Sequence, residues 1–160
     1  MTTNTLTMIL HKKNLTYQQL KTSADKESFL LKFEMSSCTS DYIIEKNISG
    51  SKLLFIYAIF PTKVPRHKRK DIAVYITLLN NNLSFGCWEL NMEDGTLRFR
   101  ISYLYDDNAA IFEAIFVENL EQSIKYTDLC IPGLFSVIYA DKDPYELFLQ
   151  LTGHVDIRLN

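Results

Sequence analysis

Cysteine, glycine and long apolar runs are all scarce in this chain of 160 residues, and each shortage removes a class of function. The cysteines, Cys38, Cys87 and Cys130, are scattered singly, so no C-x-x-C pair exists to hold a metal or exchange disulfides, and reduced thiols in a cytoplasmic protein are expected. Five glycines leave little raw material for a phosphate-cradling loop, and neither G-x-G-x-x-G nor G-K-[ST] occurs. The longest apolar run, residues 53–60, falls far short of the roughly twenty residues that a membrane-spanning helix needs. Near the start, Lys12 and Lys13 follow a brief apolar stretch instead of preceding it, and no small-residue cleavage site comes after, which argues against a secretory leader. There is no G-x-S-x-G elbow and no C-G-x-C-W context, and His11, His67 and His154 stand at no ligand-like interval. No catalytic residue, metal site or cofactor is therefore expected.

What remains has the composition of an ordinary globular protein, 47% hydrophobic and 22% charged. At this length a single domain, residues 1–160, buries roughly two thirds of the surface its unfolded chain exposes. The net charge of −2 conceals a division. Residues 1–80 hold 12 Lys/Arg against 6 Asp/Glu, whereas residues 81–160 hold 5 against 13. Such segregation can join the halves of one domain, pair one copy with another, or be solvated charge unevenly scattered.

The stretch from Trp88 to Ile101 carries the clearest structural signal. With Asp94-Gly95 as a two-residue turn, Leu90 faces Phe99 and Trp88 faces Ile101, while Glu89 faces Arg100 and Asn91 faces Arg98. That register sorts apolar pairs to one face and polar pairs to the other, as a half-buried sheet requires. Upstream, Phe29, Leu31, Phe33 and Met35 alternate with Lys32 and Glu34, and Tyr42 to Ile48 makes a second strand. Residues 53–60 are apolar on both faces, which predicts a central strand covered on both sides. Helices are predicted over residues 5–13, with Leu6, Ile9 and Leu10 inward, and from Pro65 to about Asn82, with Ile72, Ile76, Leu79 and Leu83 inward. A third starts at Ala109 behind an Asp106-Asp107-Asn108 cap, and Pro132 should kink or restart it. Asp143-Pro144-x-Glu146 opens a last helix that Gly153 should stop. The order is α-β-β-β-α-β-β-α: an α+β domain with helices packed on a mainly antiparallel five-stranded sheet.

Three motifs in that order carry a likeness: Phe60-Pro-x-Lys-Val-Pro65 before the helix, Leu79-Asn80 near its end, and Phe85-Gly-x-x-Glu-Leu-x-x-Glu-Asp-Gly-x-x-Arg98 in the hairpin. Over residues 29–139 the chain resembles the YbjN-type family of bacterial proteins, described as sensory transduction regulators. That family looks like the type III secretion chaperone fold, whose members are small, acidic, non-enzymatic and usually dimeric proteins that hold a partner chain. The resemblance implies a protein-binding or regulatory role, a homodimer and no catalytic residues. The helix start is more basic than the family's usual acidic beginning, and the first 28 residues match weakly.

Two groups of residues are candidates for contact with something else. Lys63, Arg66, His67, Lys68, Arg69 and Lys70 crowd a helix start, where cations oppose the helix dipole. They would suit an anion or nucleotide, or simply form a solvated turn or dock on the acidic half. Nucleic acid fits poorly, since no aromatic residue is interleaved for stacking. Tyr57, Trp88, Tyr103 and Tyr105 offer aromatic surface either to the core or to an interface with a second copy or another polypeptide. Glu89, Glu93 and Asp94 could be read as an acid–base cluster, but pairing with Arg100 and the turn already account for them.

Overall fold

Alternating burial along the strands sets the architecture. In the computed structural model, which describes residues 5–20 and 23–154, helix α1 (Thr5–Lys12) is followed by strands β1 (Tyr17–Gln19), β2 (Lys26–Glu34), β3 (Thr39–Asn47) and β4 (Leu53–Ile59). A 3-10 turn at Arg66–Lys68 leads into α2 (Arg69–Asn80), then β5 (Cys87–Leu90), β6 (Leu97–Leu104), α3 (Ala109–Tyr139) and α4 (Pro144–His154). The strands form one open antiparallel sheet in the order β1-β2-β3-β4-β6-β5. The fold is α+β, with six strands among the described residues instead of five. The added strand, β1, has only three residues and no alternation of its own. It is held by pairing along β2 and by an edge-to-face contact of Tyr17 with Phe29, ring centroids 5.5 Å apart.

One face of the sheet is covered by helices. Phe29 and Leu31 of β2, Tyr42 and Ile44 of β3, Leu54, Ile56 and Ala58 of β4, and Leu97, Phe99 and Ile101 of β6 are all buried there. Phe112, Phe116, Leu120, Leu134 and Val137 of α3 and Ile72, Tyr75 and Leu79 of α2 close the core from the helical side. Tyr42 crosses the layers, its Oη 2.5 Å from Thr127 Oγ1 of α3, and burial pushes its hydroxyl pKa up to about 12. The opposite residues of β4, Leu53, Phe55, Tyr57 and Ile59, are none of them buried. The expectation that this strand is covered on both sides is thus corrected: it is central, but helices cover one side only.

Three local expectations also give way to tertiary packing. The hairpin pairs Trp88 with Phe99, Glu89 with Arg98 and Leu90 with Leu97, two residues away from the two-residue-turn register. A four-residue loop, Met92 to Gly95, makes the turn because side chains take over its amides. Asn91 Oδ1 accepts from Glu93 N (2.8 Å), and Asp94 Oδ1 accepts from Thr96 N (2.9 Å). A shift of two preserves face parity, so Trp88, Leu97, Phe99 and Ile101 still bury together. Helix α3 runs unbroken through Pro132. Interior proline costs about 3 kcal/mol, but Cys130, Ile131, Leu134, Val137 and Ile138 around it are all buried and outweigh that. Helix α4 begins as expected, with Asp143 Oδ1 accepting from Tyr145 N and Glu146 N, yet it continues past Gly153 to His154.

Edge strand β5 is closed by a side chain. Asn80, in the last turn of α2, donates from Nδ2 to Trp88 O (3.0 Å) and accepts at Oδ1 from Trp88 N (2.8 Å), taking the place of a neighbouring strand. Asn80→Ala should therefore cost about 1–3 kcal/mol in urea unfolding, by leaving two partly buried backbone groups unpaired, and should promote concentration-dependent aggregation. Asn82→Ala, which loses only an exposed bond to Leu78 O, should stay within about 0.5 kcal/mol of the parent.

Candidate functional site

The basic cluster lies at the corner where the chain leaves β4 and enters α2, and the structure divides it into two sets. Arg69 is a strut: its Nε donates to Val64 O (3.2 Å) and its Nη1 to Met92 O and Glu93 O (both 2.9 Å). Lys63 Nζ pairs with Asp94 Oδ2 at 2.9 Å, and Lys68 pairs with Asp141 and, at 3.6 Å, with Asp71. Gly95 makes the close approach possible. It adopts φ +79°, and a Cβ there would sit 2.3 Å from Val64 O, while Val64 N donates to Gly95 O (2.8 Å). Three of the six residues, Lys63, Lys68 and Arg69, therefore bind the α2 start to the β5–β6 loop and to Asp141. Arg66, His67 and Lys70 are exposed and make no ion pair among the described residues.

Part of the charge division between the two halves of the sequence is paired off within the chain. Lys12–Glu113 (2.7 Å), Lys63–Asp94, Lys52–Asp107 and Lys68–Asp141 all join the basic half to the acidic half. Each is at the surface and contributes little singly. Asp94 is held well below the usual carboxylate range by the Thr96 backbone amide first, then by Lys63 and the Thr96 hydroxyl.

The sheet face turned away from the helices is the larger candidate surface. In register across it lie Leu30, Ile43, Tyr57 and Arg100, then Asp41, Ile59 and Arg98, then Glu45, Phe55 and Ser102. The rings of Phe55 and Tyr57 are parallel, centroids 5.8 Å apart, and the Arg98 guanidinium sits 4.4 Å above the Tyr57 ring. The charges at its margins are paired among themselves. Glu89 accepts from Arg98 (2.8 Å) and Arg100 (2.6 Å), Lys26 meets Glu45 (2.6 Å), and Lys32 meets Asp41 (2.7 Å). Partial burial disfavours the Glu89 charge, but the two guanidinium hydrogen bonds prevail and hold its carboxyl below the ordinary value. An apolar centre thus sits inside a rim of paired charges that keeps one excess cation, where Arg98 and Arg100 share Glu89.

Of the four aromatic residues singled out from the sequence, only Tyr57 is on this face. Trp88 is 3% exposed and belongs to the core, tilted against Phe99 at 5.5 Å. Tyr103 points to the helical side, its hydroxyl enclosed without a hydrogen-bond partner among the described residues. Tyr105 donates to Asn47 O (2.7 Å) and packs edge-on against Phe112 below Lys46. Phe55 and Ile59, expected within a strand covered on both sides, lie on this face as well. Their signal was present, since they occupy the second apolar face of residues 53–60.

Among the described residues, no group of three or more His, Cys, Asp or Glu is placed to hold a metal ion, and no helix is long and apolar enough to cross a membrane. No protein-family model and no curated protein matches the chain.

Two outcomes test the corner. Arg69→Ala should lower stability in urea unfolding by about 2 kcal/mol through the loss of three charge-assisted hydrogen bonds, one of them to the part-buried Val64 carbonyl, whereas Arg66→Ala and Lys70→Ala should change it by less than about 0.5 kcal/mol. Because the Asp94 pKa is depressed on folding, its contribution is fully present above the usual aspartate value of about 3.9 and is lost as pH falls below it. Urea midpoints measured down to about pH 2.5 should show a shallower acid loss in Asp94→Asn than in the parent.

Proposed function

We propose that the chain is a non-enzymatic protein-interaction or regulatory protein of the YbjN and type III secretion chaperone kind, cytoplasmic and homodimeric, that holds another polypeptide. The order α-β-β-β-α-β-β-α, with β1 as an added edge and α4 as an added last helix, supports that likeness. One observation carries the reading: β4 is apolar on both faces, yet this chain's helices cover only one.

Leu30, Ile43, Phe55, Tyr57 and Ile59 form the centre of the uncovered face. An isologous pairing of two such faces would set apolar centre against apolar centre, as sheets do when they pack about 10 Å apart. The rim is compatible with a second copy, because Glu89, Asp41 and Glu45 are each paired and the ion pairs leave a single excess positive charge, on the Arg98–Glu89–Arg100 group, to repel a twin. Anion or nucleotide binding at the α2 start is the weaker reading. Lys63, Lys68 and Arg69 are committed to structure, leaving Arg66, His67 and Lys70 to carry it.

Light scattering at low and high salt tests the dimer. The parent should have the mass of a dimer at both, because apolar burial is not screened, and Phe55→Lys with Ile59→Lys should be a monomer of unchanged helix content. A monomeric parent at both salts would overturn the homodimer.

A further inference from the structure

On the helical side, away from the open sheet face, a cleft of about 300 Å³ opens where α2, α3 and α4 meet. Its floor is Pro132-Gly133 of α3 and its walls include Leu129 of α3 with Leu147 and Leu151 of α4. Proline and glycine are the two poorest helix formers, and here they stand side by side in the last third of the longest helix. Gly133 has a steric reason: a Cβ at that position would lie 2.1 Å from Tyr75 Oη, so the hydroxyl of α2 occupies the space a side chain would fill.

Tyr75 is 1% exposed and lines the cleft; its hydroxyl takes no partner among the described residues and, unlike those of Tyr103 and Tyr126, is not wholly sealed from solvent. A buried hydroxyl is normally paired, as that of Tyr42 is with Thr127. The other hydroxyl in the cleft is not free to serve it, since Ser136 Oγ donates to Pro132 O at 2.9 Å. No charged side chain lines the cleft; the remaining polar group is the Gln150 amide.

We propose that this cleft binds a small neutral molecule with an apolar body and one oxygen acceptor, a ketone or ether, which receives the Tyr75 hydroxyl hydrogen bond. The leucine walls take the apolar body, and the uncharged lining excludes carboxylates and amines, whose desolvation nothing there offsets. The cleft needs neither the open sheet face nor a dimer, so its test is separate from theirs.

Leucine-methyl NMR titrations with acetophenone and with ethylbenzene, which lacks the acceptor, decide the matter. Both probes should give saturable shifts at Leu129, Leu147 and Leu151. Tyr75→Phe should weaken acetophenone about fivefold and leave ethylbenzene unchanged, the worth of one hydrogen bond. That variant removes a hydroxyl with no partner, so its urea midpoint should match the parent and report that the fold is intact. Leu129→Phe, which fills the cleft from its partly exposed wall, should abolish both sets of shifts. The proposal is overturned if neither probe saturates, if acetophenone binds Tyr75→Phe as tightly as the parent, or if the shifts survive in Leu129→Phe.

Discussion

The rest of the structure depends on β4 being apolar in both directions. Leu54, Ile56 and Ala58 turn toward α3 and form the centre of the core, where they meet Ile44, Phe99 and Ile101 from the neighbouring strands. Phe55, Tyr57 and Ile59 turn the other way, are not buried and meet no helix among the described residues. Burial of apolar area is worth about 25 cal/mol per Å², so a strand with two apolar faces and one cover leaves a driving force for association unused. The internal pairing of Glu89, Lys26 and Lys32 with their neighbours then matters. It cancels most of the charge on that face that would otherwise keep a second copy away.

Two side chains convert the sheet and α2 into one body. Asn80 closes the β5 edge at the end of α2, and Arg69 ties the beginning of the same helix to the loop between β5 and β6. Between these anchors Ile72, Tyr75, Ile76 and Leu79 fall on the core. The basic cluster is thus in good part a structural fastening. The cations that oppose the α2 dipole are offset by backbone carbonyls of Val64, Met92 and Glu93 and by carboxylates of Asp94 and Asp141.

Most of the element order was legible in the sequence, because period-two and helical patterns reflect burial directly. Phe29 and Leu31 in β2, Leu6, Ile9 and Leu10 in α1, and the Asn108 cap of α3 lie where the pattern puts them. What escaped depends on contacts that no local pattern encodes. Strand β1 exists through pairing with β2; Pro132 stays helical because buried neighbours on both sides hold it; and the hairpin register is set by Asn91 and Asp94 side chains, not by the Asp-Gly pair. The candidate surface was half legible. The double-sided run named β4 as special, but periodicity cannot say whether the second face meets a helix of this chain or a surface from elsewhere. Aromatic content pointed to Trp88, Tyr103 and Tyr105, which packing and the Asn47 carbonyl account for instead.

The central claim, that the uncovered face of β4 is the contact between two copies, is tested most directly by isotope-filtered NOE spectroscopy on a mixture of labelled and unlabelled protein. The expected result is intermolecular NOEs from the Ile43 and Ile59 methyls of one copy to the Phe55 and Tyr57 rings of the other. Intermolecular NOEs confined to α2 and α4, or none at concentrations where the Phe55 and Ile59 signals are those of a solvated surface, would contradict it.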